Sequence, residues 1–208
     1  MNQKNSLGID LCFKDLNNPI DLFGYWFNEA KKTEINDPNA LALATTGKNQ
    51  IPSVRMVLLK DFNEKGFIFY TNLNSQKGKE LKDNPIATMC FHWKSLLRQV
   101  RIVGTLKLVD DKTADDYYNS RAYESRIGAW ASKQSSVLKS RDELLKNLQD
   151  FRKKYEDRDN VPRPDYWSGW NLTPSTIEFW LDGENRIHER LKYFLNKNNN
   201  WEKKLLSP

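Results

Sequence analysis

Ala40-Leu-Ala-Leu-Ala-Thr-Thr46 and Ser53-Val-Arg-Met-Val-Leu-Leu-Lys60, joined across Gly47-Lys-Asn-Gln50, decide the fold class of this chain. Before residue 40 the apolar period is helical; from there it becomes that of strands, and turn residues between two such runs are a hairpin signal. Residues 66–71 (Gly-Phe-Ile-Phe-Tyr-Thr) read as a third strand after the polar loop 61–65, and residues 86–93 and 99–109 as two more. Two strands at 176–181 and 186–194 close the chain. Short antiparallel strands at this density predict a mainly β fold with flanking helices, built as a small closed or partly closed barrel.

Asn18-Pro19 is a helix start, with Asn as N-cap and Pro in the first turn. Leu22, Phe23, Trp26, Phe27 and Ala30 then recur at helical spacing, so this helix covers a core. Further helices are expected over 75–83, 112–121 and 140–155, with Pro162-Arg-Pro164 ending that region. Residues 1–17 are polar and irregular and are expected to form a mobile N-terminal arm; residues 18–208 make one domain, with no repeat, low-complexity tract or second boundary.

At 208 residues the chain can bury a real core. Aromatic content is 12%, with seven Trp, which suits a β-rich core, a ligand pocket or a subunit interface. The net charge of +6 admits nucleic acid, anionic lipid or phosphorylated small molecules as partners. Acidic residues are interspersed and no Lys/Arg run forms an arm, so nucleic acid is not expected, and the lysines of 139–154 read as a solvated surface. Cys12 and Cys90 belong to no ligand pattern, so no metal is expected. Nothing near Met1 resembles a signal peptide and no apolar run approaches membrane-spanning length, so the expectation is a soluble cytoplasmic protein without a membrane partner.

Arg186, His188 and Arg190 stand at alternate positions, which on a strand places them on one face. Like charges gathered this way call for an anion. Arg55 and Lys60 are an odd number of residues apart, so on a regular strand they face opposite sides, either toward two different anions or out to solvent. Tyr70-Thr71 precedes Ser75-Gln-Lys-Gly-Lys79, a helix start with adjacent lysines that could take a phosphate. No nucleotide-binding glycine motif accompanies it. Gln99 and Arg101 share a strand face; Tyr117, Arg121 and Ser125 are four apart, one helical face if the helix persists; Gln134-Ser135 adds polar groups in a loop. Binding groups rich in cations and poor in acid–base machinery imply that a bound cofactor performs the reaction.

These segments resemble the pyridoxamine (pyridoxine) 5′-phosphate oxidase family. The likeness rests on Arg55-Met-Val-Leu-Leu-Lys60, Gly66-Phe-Ile-Phe-Tyr-Thr-Asn72, Arg98-Gln-Val-Arg101, Ser125-Arg-Ile-Gly-Ala-Trp-Ala-Ser-Lys-Gln-Ser135, Pro162-Arg-Pro164 with Trp167, and Ile177-Glu-Phe-Trp180 through Arg186-x-His188-x-Arg190. They occur in family order from about residue 20 to Leu206-Ser-Pro208. The resemblance implies an antiparallel split β-barrel homodimer with FMN at the subunit interface. It also implies oxidation of pyridoxine or pyridoxamine 5′-phosphate at C4′ to pyridoxal 5′-phosphate, with hydride passing to FMN and O₂ reduced to hydrogen peroxide.

By resemblance, Arg55, Met56, Val57, Leu58, Leu59, Lys60, Tyr70, Thr71, Gln76, Lys77, Gln99, Gln134, Ser135, Trp180 and Arg190 match FMN positions. Lys60, Tyr117, Arg121 and Ser125 match the substrate-phosphate positions, while Arg186 and His188 match the substrate-binding, catalytic pair beside the pyridine ring. Three departures stand out: Gln76 replaces a usual Arg, which predicts weaker FMN binding; Glu189 replaces a usual Asp; and an Arg-Glu-Tyr segment is missing from residues 1–17. The competing readings are another substrate on the same barrel, a non-catalytic carrier of FMN or pyridoxal phosphate, and RNA binding. The last lacks an aromatic–basic motif.

Overall fold

β1 (Ala40–Thr46) and β2 (Pro52–Leu58) form the expected hairpin, in register from Ala40 opposite Leu58 to Thr46 opposite Pro52. The computed structural model describes residues 3–208 of the protein, and within them nine strands join one antiparallel sheet. β3 (Asp61–Asn63), β4 (Gly66–Asn72), β5 (Ile86–Trp93), β6 (Arg98–Leu108) and β7 (Trp167–Leu181) extend it in the order β2-β1-β5-β6-β7-β4-β3. β8 (Glu189–Leu195) and β9 (Trp201–Leu206) continue from the second half of β7. β2 and β3 stand at opposite ends of the path, yet only Leu59 and Lys60 separate them in sequence. That link spans at most about 11 Å, so the sheet must roll until its edges approach. Lys60 N donates to Ile68 O at 2.8 Å, so the link already belongs to the β3–β4 ladder. The fold is the partly closed antiparallel barrel that the strand density predicts, and the split barrel that the resemblance implies.

α1 (Pro19–Thr33) plugs this barrel. The Asn18 side chain caps it by accepting from Ile20 N at 2.9 Å, and Leu22, Phe23, Trp26, Phe27 and Ala30 are all buried. Phe23 meets Phe62, Phe67 and Phe91 edge-on or tilted, with ring centroids 4.9, 5.0 and 5.2 Å apart. The remaining helices are α2 (Gln76–Asp83), α3 (Asp111–Asn119), α4 (Tyr123–Ala131) and α5 (Arg141–Lys154). The helix expected over 112–121 ends at Asn119, where Ser120 Oγ donates back to Tyr117 O at 2.8 Å and Ala122 is extended. The chain then restarts as α4, which the sequence reading did not anticipate.

Three further differences lie at the C-terminal end. β7 begins nine residues before the expected 176, running through Pro174, because a register shift between Val103 and Gly104 of β6 absorbs the proline. Gly104 is required there, since a Cβ would sit 2.2 Å from Thr173 O. β9 was not expected, and β8 starts at Glu189 rather than 186. Residues Glu184–Arg186 form a tight turn with left-handed Asn185 (φ 54°) and Arg186 (φ 65°), so Arg186, His188 and Arg190 do not share a strand face.

The segment before α1, expected to be a mobile arm, is seated on the domain from residue 3 onward; Met1 and Asn2 lie outside the described residues. Lys4 bridges to Asp10, a short 3-10 turn spans Leu11–Phe13, and Ile9, Cys12 and Phe13 are buried. Trp26 Nε1 donates to Cys12 O at 2.6 Å, Tyr193 Oη to Leu16 O at 2.8 Å, and Lys4 pairs with Glu189. The apolar residues are too few and too irregularly spaced to show a period, which is why the segment reads as polar. Phe13→Ala is expected to cost about 3–5 kcal/mol, because Phe13 is fully buried against Trp26. Urea unfolding checks this, and a loss below about 1 kcal/mol would mean the segment is not part of the core.

Candidate functional site

Eleven of the residues singled out in sequence line one cavity of about 640 Å³: Met56, Val57, Leu58, Lys60, Tyr70, Thr71, Lys77, Tyr117, Arg121, Ser125 and Gln134. β2 and the β2–β3 link supply one wall, β4 the second, and α3, α4 and the loop after α4 the third. The lining holds three cations and no carboxylate, a composition that favours an anion.

Lys60, Tyr117, Arg121 and Ser125 come together on this cavity although the helix expected to carry the last three is broken. Tyr117 is on α3, Ser125 on α4, and Arg121 in the link between them. Arg163, from the Pro-Arg-Pro segment, holds α3 in place through Asp111 (2.8 Å) and Asp115 (2.5 Å), and donates to Trp167 O at 2.9 Å. That anchoring seats Tyr117 in a stack with Tyr70 (3.9 Å) and Trp167 (6.2 Å). The Arg121 guanidinium lies 4.7 Å from the Trp167 ring centre and Lys60 Nζ 5.9 Å from that of Tyr117. Arg121 NH1 is buried without a hydrogen-bond partner among the described residues. Burial lowers the Arg121 pKa, and burial, more than the nearby Tyr117 and Asp charges, pushes the Tyr70 phenol up to about 12. A buried donor with no acceptor costs free energy that a bound anion restores.

Lys77 lines the same cavity with different neighbours: it is 8% exposed and donates to Thr71 Oγ1 and Gln134 Oε1, both at 3.1 Å. Ser75 caps α2 by accepting from Gly78 N, so Lys77 stands in the first turn. Burial, and then the charge of Arg55, lowers the Lys77 pKa. Its hydrogen-bond partners are neutral oxygens, which leaves its charge for a phosphate dianion.

Several expected site residues lie elsewhere. Leu59 is 3% exposed and belongs to the core. Ser135 adjoins Gln134 in an exposed left-handed turn (φ 69°). Arg55 and Gln76 are not on the cavity wall; both bind Glu80, at 3.1 and 2.9 Å. Desolvation works to raise the Glu80 pKa, but hydrogen bonds from Thr45, Ser53 and Gln76 and the Arg55 charge outweigh it and bring it down to about 2. The carboxyl titrates near 4.5 when unfolded and near 2 when folded. Its contribution to stability is therefore complete above about pH 4.5 and lost as pH falls toward 2. Glu80→Gln is expected to flatten the acid side of the stability profile in that window; an unchanged slope between wild type and variant would contradict it.

Gln99, Trp180, Arg186, His188 and Arg190 form a second cluster. Gln99 pairs with Trp180 and Trp180 with Arg190 across β6, β7 and β8. Arg190 binds the buried Glu178 through Nε (3.0 Å) and NH2 (2.7 Å), and Arg101 takes the other carboxylate oxygen at 2.9 Å. The His188 ring lies 4.7 Å from that of Trp180, with Nδ1 3.0 Å from Asp182 Oδ1 and 3.2 Å from Gly183 N. Gly183 is required here, because a Cβ would meet Ile187 O at 2.0 Å. From Trp167 in the cavity wall to Trp180 is thirteen residues of β7, roughly 40 Å of strand contour. Glu80, Glu178 and Asp182 were missed by the sequence reading. Only cross-strand register or a tight turn brings them to their partners, although the spacing of Gln76 and Glu80 on one helix was a usable sign.

Residues 27–155 match the family model for pyridoxamine 5′-phosphate oxidase, and residues 167–208 that for the pyridoxine 5′-phosphate oxidase C-terminal dimerisation region. A pyridoxine/pyridoxamine 5′-phosphate oxidase of Pelagibacter ubique (strain HTCC1062) is 69% identical over the whole of both chains. The crystal structure of PhzG from Burkholderia lata 383, in complex with tetrahydrophenazine-1-carboxylic acid, superposes with a TM-score of 0.88 at 27% identity, covering 99% of this chain and 100% of that one. A pyridoxamine 5′-phosphate oxidase-related, FMN-binding protein from Nostoc punctiforme PCC 73102 shares the fold, with a TM-score of 0.74 at 18% identity over 93% and 99% of the two chains. This chain belongs to the pyridoxamine 5′-phosphate oxidase family.

Proposed function

We propose that the protein is an FMN-dependent oxidase converting pyridoxine 5′-phosphate and pyridoxamine 5′-phosphate to pyridoxal 5′-phosphate. The observation that carries this reading is the acid-free cavity in which Lys77 stands with Thr71 and Gln134 while Lys60 and Arg121 stand beside the Tyr117 and Trp167 rings. Two separate cationic stations suit two phosphorylated molecules bound together. A flavin phosphate fits the Lys77 station, where Thr71, Gln134 and Ser135 would join in holding it. FMN, when bound, accepts hydride from C4′ of the substrate and passes the electrons to O₂, giving hydrogen peroxide. The chain's own contribution is binding and orientation. Lys60, Arg121, Tyr117 and Ser125 hold the substrate phosphate, and the Tyr70–Tyr117–Trp167 stack walls the cavity. The PhzG relative binds a carboxylic acid; four phosphate-competent side chains at one station favour a phosphate monoester for this chain.

The site is completed by a second copy. Gln99, Trp180, Arg186, His188 and Arg190 are too far along β7 to meet the same ligand within one protomer, so they serve the cavity of the partner. The outer face of the edge strand β2 supports this assembly: Val54 and Met56 are each 64% exposed, an apolar edge that a monomer would leave open. In the homodimer, FMN lies at the interface, Trp180 and Arg190 complete its site, and Arg186 and His188 flank the substrate ring. No helix among the described residues is long and apolar enough to cross a membrane, and we place the enzyme in the cytoplasm. The test is to purify the protein, record a flavin spectrum, and follow aldehyde and peroxide from pyridoxine 5′-phosphate in air. Yellow protein without turnover would leave only a carrier, and protein unable to take up FMN would defeat the flavin reading.

A further inference from the structure

Glu80 stands three residues after Lys77 on α2, yet it is not on the cavity wall and is held in a closed set of donors. Its Oε2 accepts from Thr45 Oγ1 (2.5 Å), Ser53 Oγ (2.7 Å) and Arg55 NH2 (3.1 Å), and its Oε1 from Gln76 Nε2 (2.9 Å). The side chains of Glu80 and Arg55 are 14% and 20% exposed. Arg55 is fully engaged at both terminal nitrogens: NH1 reaches Leu43 O and Ser53 O, both at 3.2 Å, and Thr45 Oγ1, while NH2 reaches Ser53 Oγ as well as Glu80. Glu80 follows Lys77 by three residues on α2, so the guanidinium it holds lies within about one helical turn of that ammonium, and its charge helps to lower the Lys77 pKa. A phosphate at Lys77 would therefore sit beside a second cation whose donors are already taken.

We propose that Glu80 sets the affinity of the flavin-phosphate station by competing with the phosphate for Arg55, while Gln76 helps to hold the carboxylate in place. This rests on the reading of the Lys77 station as the FMN-phosphate site. A guanidinium released from Glu80 can offer a phosphate two parallel hydrogen bonds, but its departure strips a largely buried carboxylate of its one ion-pair partner among the described residues. That cost offsets the gain, so the phosphate gains less from Arg55 than an unpaired arginine would give. Gln76 shapes the same balance, since it supplies a neutral donor to Glu80 in place of a second charge.

Dissociation constants of FMN and of riboflavin, which lacks the phosphate, test this on the full-length protein stripped of flavin, read by quenching of flavin fluorescence. Glu80→Gln keeps the shape and removes the charge; it is expected to tighten FMN about tenfold, equal to about 1.4 kcal/mol, and to leave riboflavin unchanged. Glu80→Asp keeps the charge but withdraws it by one methylene, and is expected to tighten FMN by a smaller factor, about threefold. In an Arg55→Met background neither change should alter FMN binding. An unchanged or weakened FMN affinity in Glu80→Gln would overturn the proposal while leaving the flavin site intact. So would equal tightening in the Arg55→Met background, which would mean a general field effect. A wild-type chain that takes up neither flavin would instead remove the flavin reading, and this proposal with it.

Discussion

Arg186→Leu is expected to lower turnover about a hundredfold while the FMN dissociation constant moves by less than about threefold, roughly half a kcal/mol. Arg186 is exposed, and its side chain makes no hydrogen bond or ion pair among the described residues. It stands in a left-handed conformation directly after Asn185, also left-handed, in a turn closed by Gly183. Two such residues in succession are costly, and among the described residues the Arg186 side chain itself makes no contact that offsets it. The turn is held instead by its neighbours, through His188 with Asp182 and Gly183 and through the Trp180 ring. Removing the guanidinium should therefore leave fold and flavin intact and remove only a contact with the reacting molecule. Steady-state kinetics beside flavin titration separate the two effects. Loss of FMN with unchanged turnover per bound flavin would reverse the assigned roles.

Arg121→Met is expected to raise KM for the phosphorylated substrate by roughly ten- to hundredfold, from a charge-assisted contact of about 1.5–3 kcal/mol. The same change should raise the thermal midpoint of the flavin-free protein, since Arg121 is a desolvated cation with a buried, unpartnered nitrogen. Methionine keeps the packing against Trp167 and removes the uncompensated charge. A KM within twofold of wild type would show that the substrate phosphate sits elsewhere. The two variants also test the shared site together. In a mixed dimer of Arg186→Leu and Arg121→Met subunits, one site carries both defects and the other carries neither. Activity well above that of either variant alone is expected; none regained would mean that each subunit works with its own turn.

Much of the fold was legible because periodicity is local. The α1 stripe, its Asn18 cap and the strands at 40–46, 66–72 and 86–93 follow from residues within a few positions of each other. The boundaries that failed depend on distant partners. The strand expected from 176 begins at Trp167, because a register shift at Gly104 on β6 accommodates Pro174. The alternation of Arg186, His188 and Arg190 reads as a strand until Asn185 and Arg186 turn left-handed. Residues 3–17 read as an arm because a lone Phe13 has no period, and only the barrel end gives it a place to be buried.

The sequence by itself determined the residue types: where the cations stand, the scarcity of acids beside them, the aromatic supply, and a series of motifs in family order. Those are properties of chemistry and spacing, and the chain carries them unfolded. Only the tertiary structure decided which charges are free to act. Lys60, Lys77 and Arg121 reach one cavity without a carboxylate, whereas Arg55 and Arg190 are committed to Glu80 and Glu178. It also gathered eleven of the expected site residues on one cavity and left Gln99, Trp180, Arg186, His188 and Arg190 in a second cluster. Charge is written in the residue, but pairing depends on which strands lie side by side, and that is set by a barrel rolled from segments far apart in the chain.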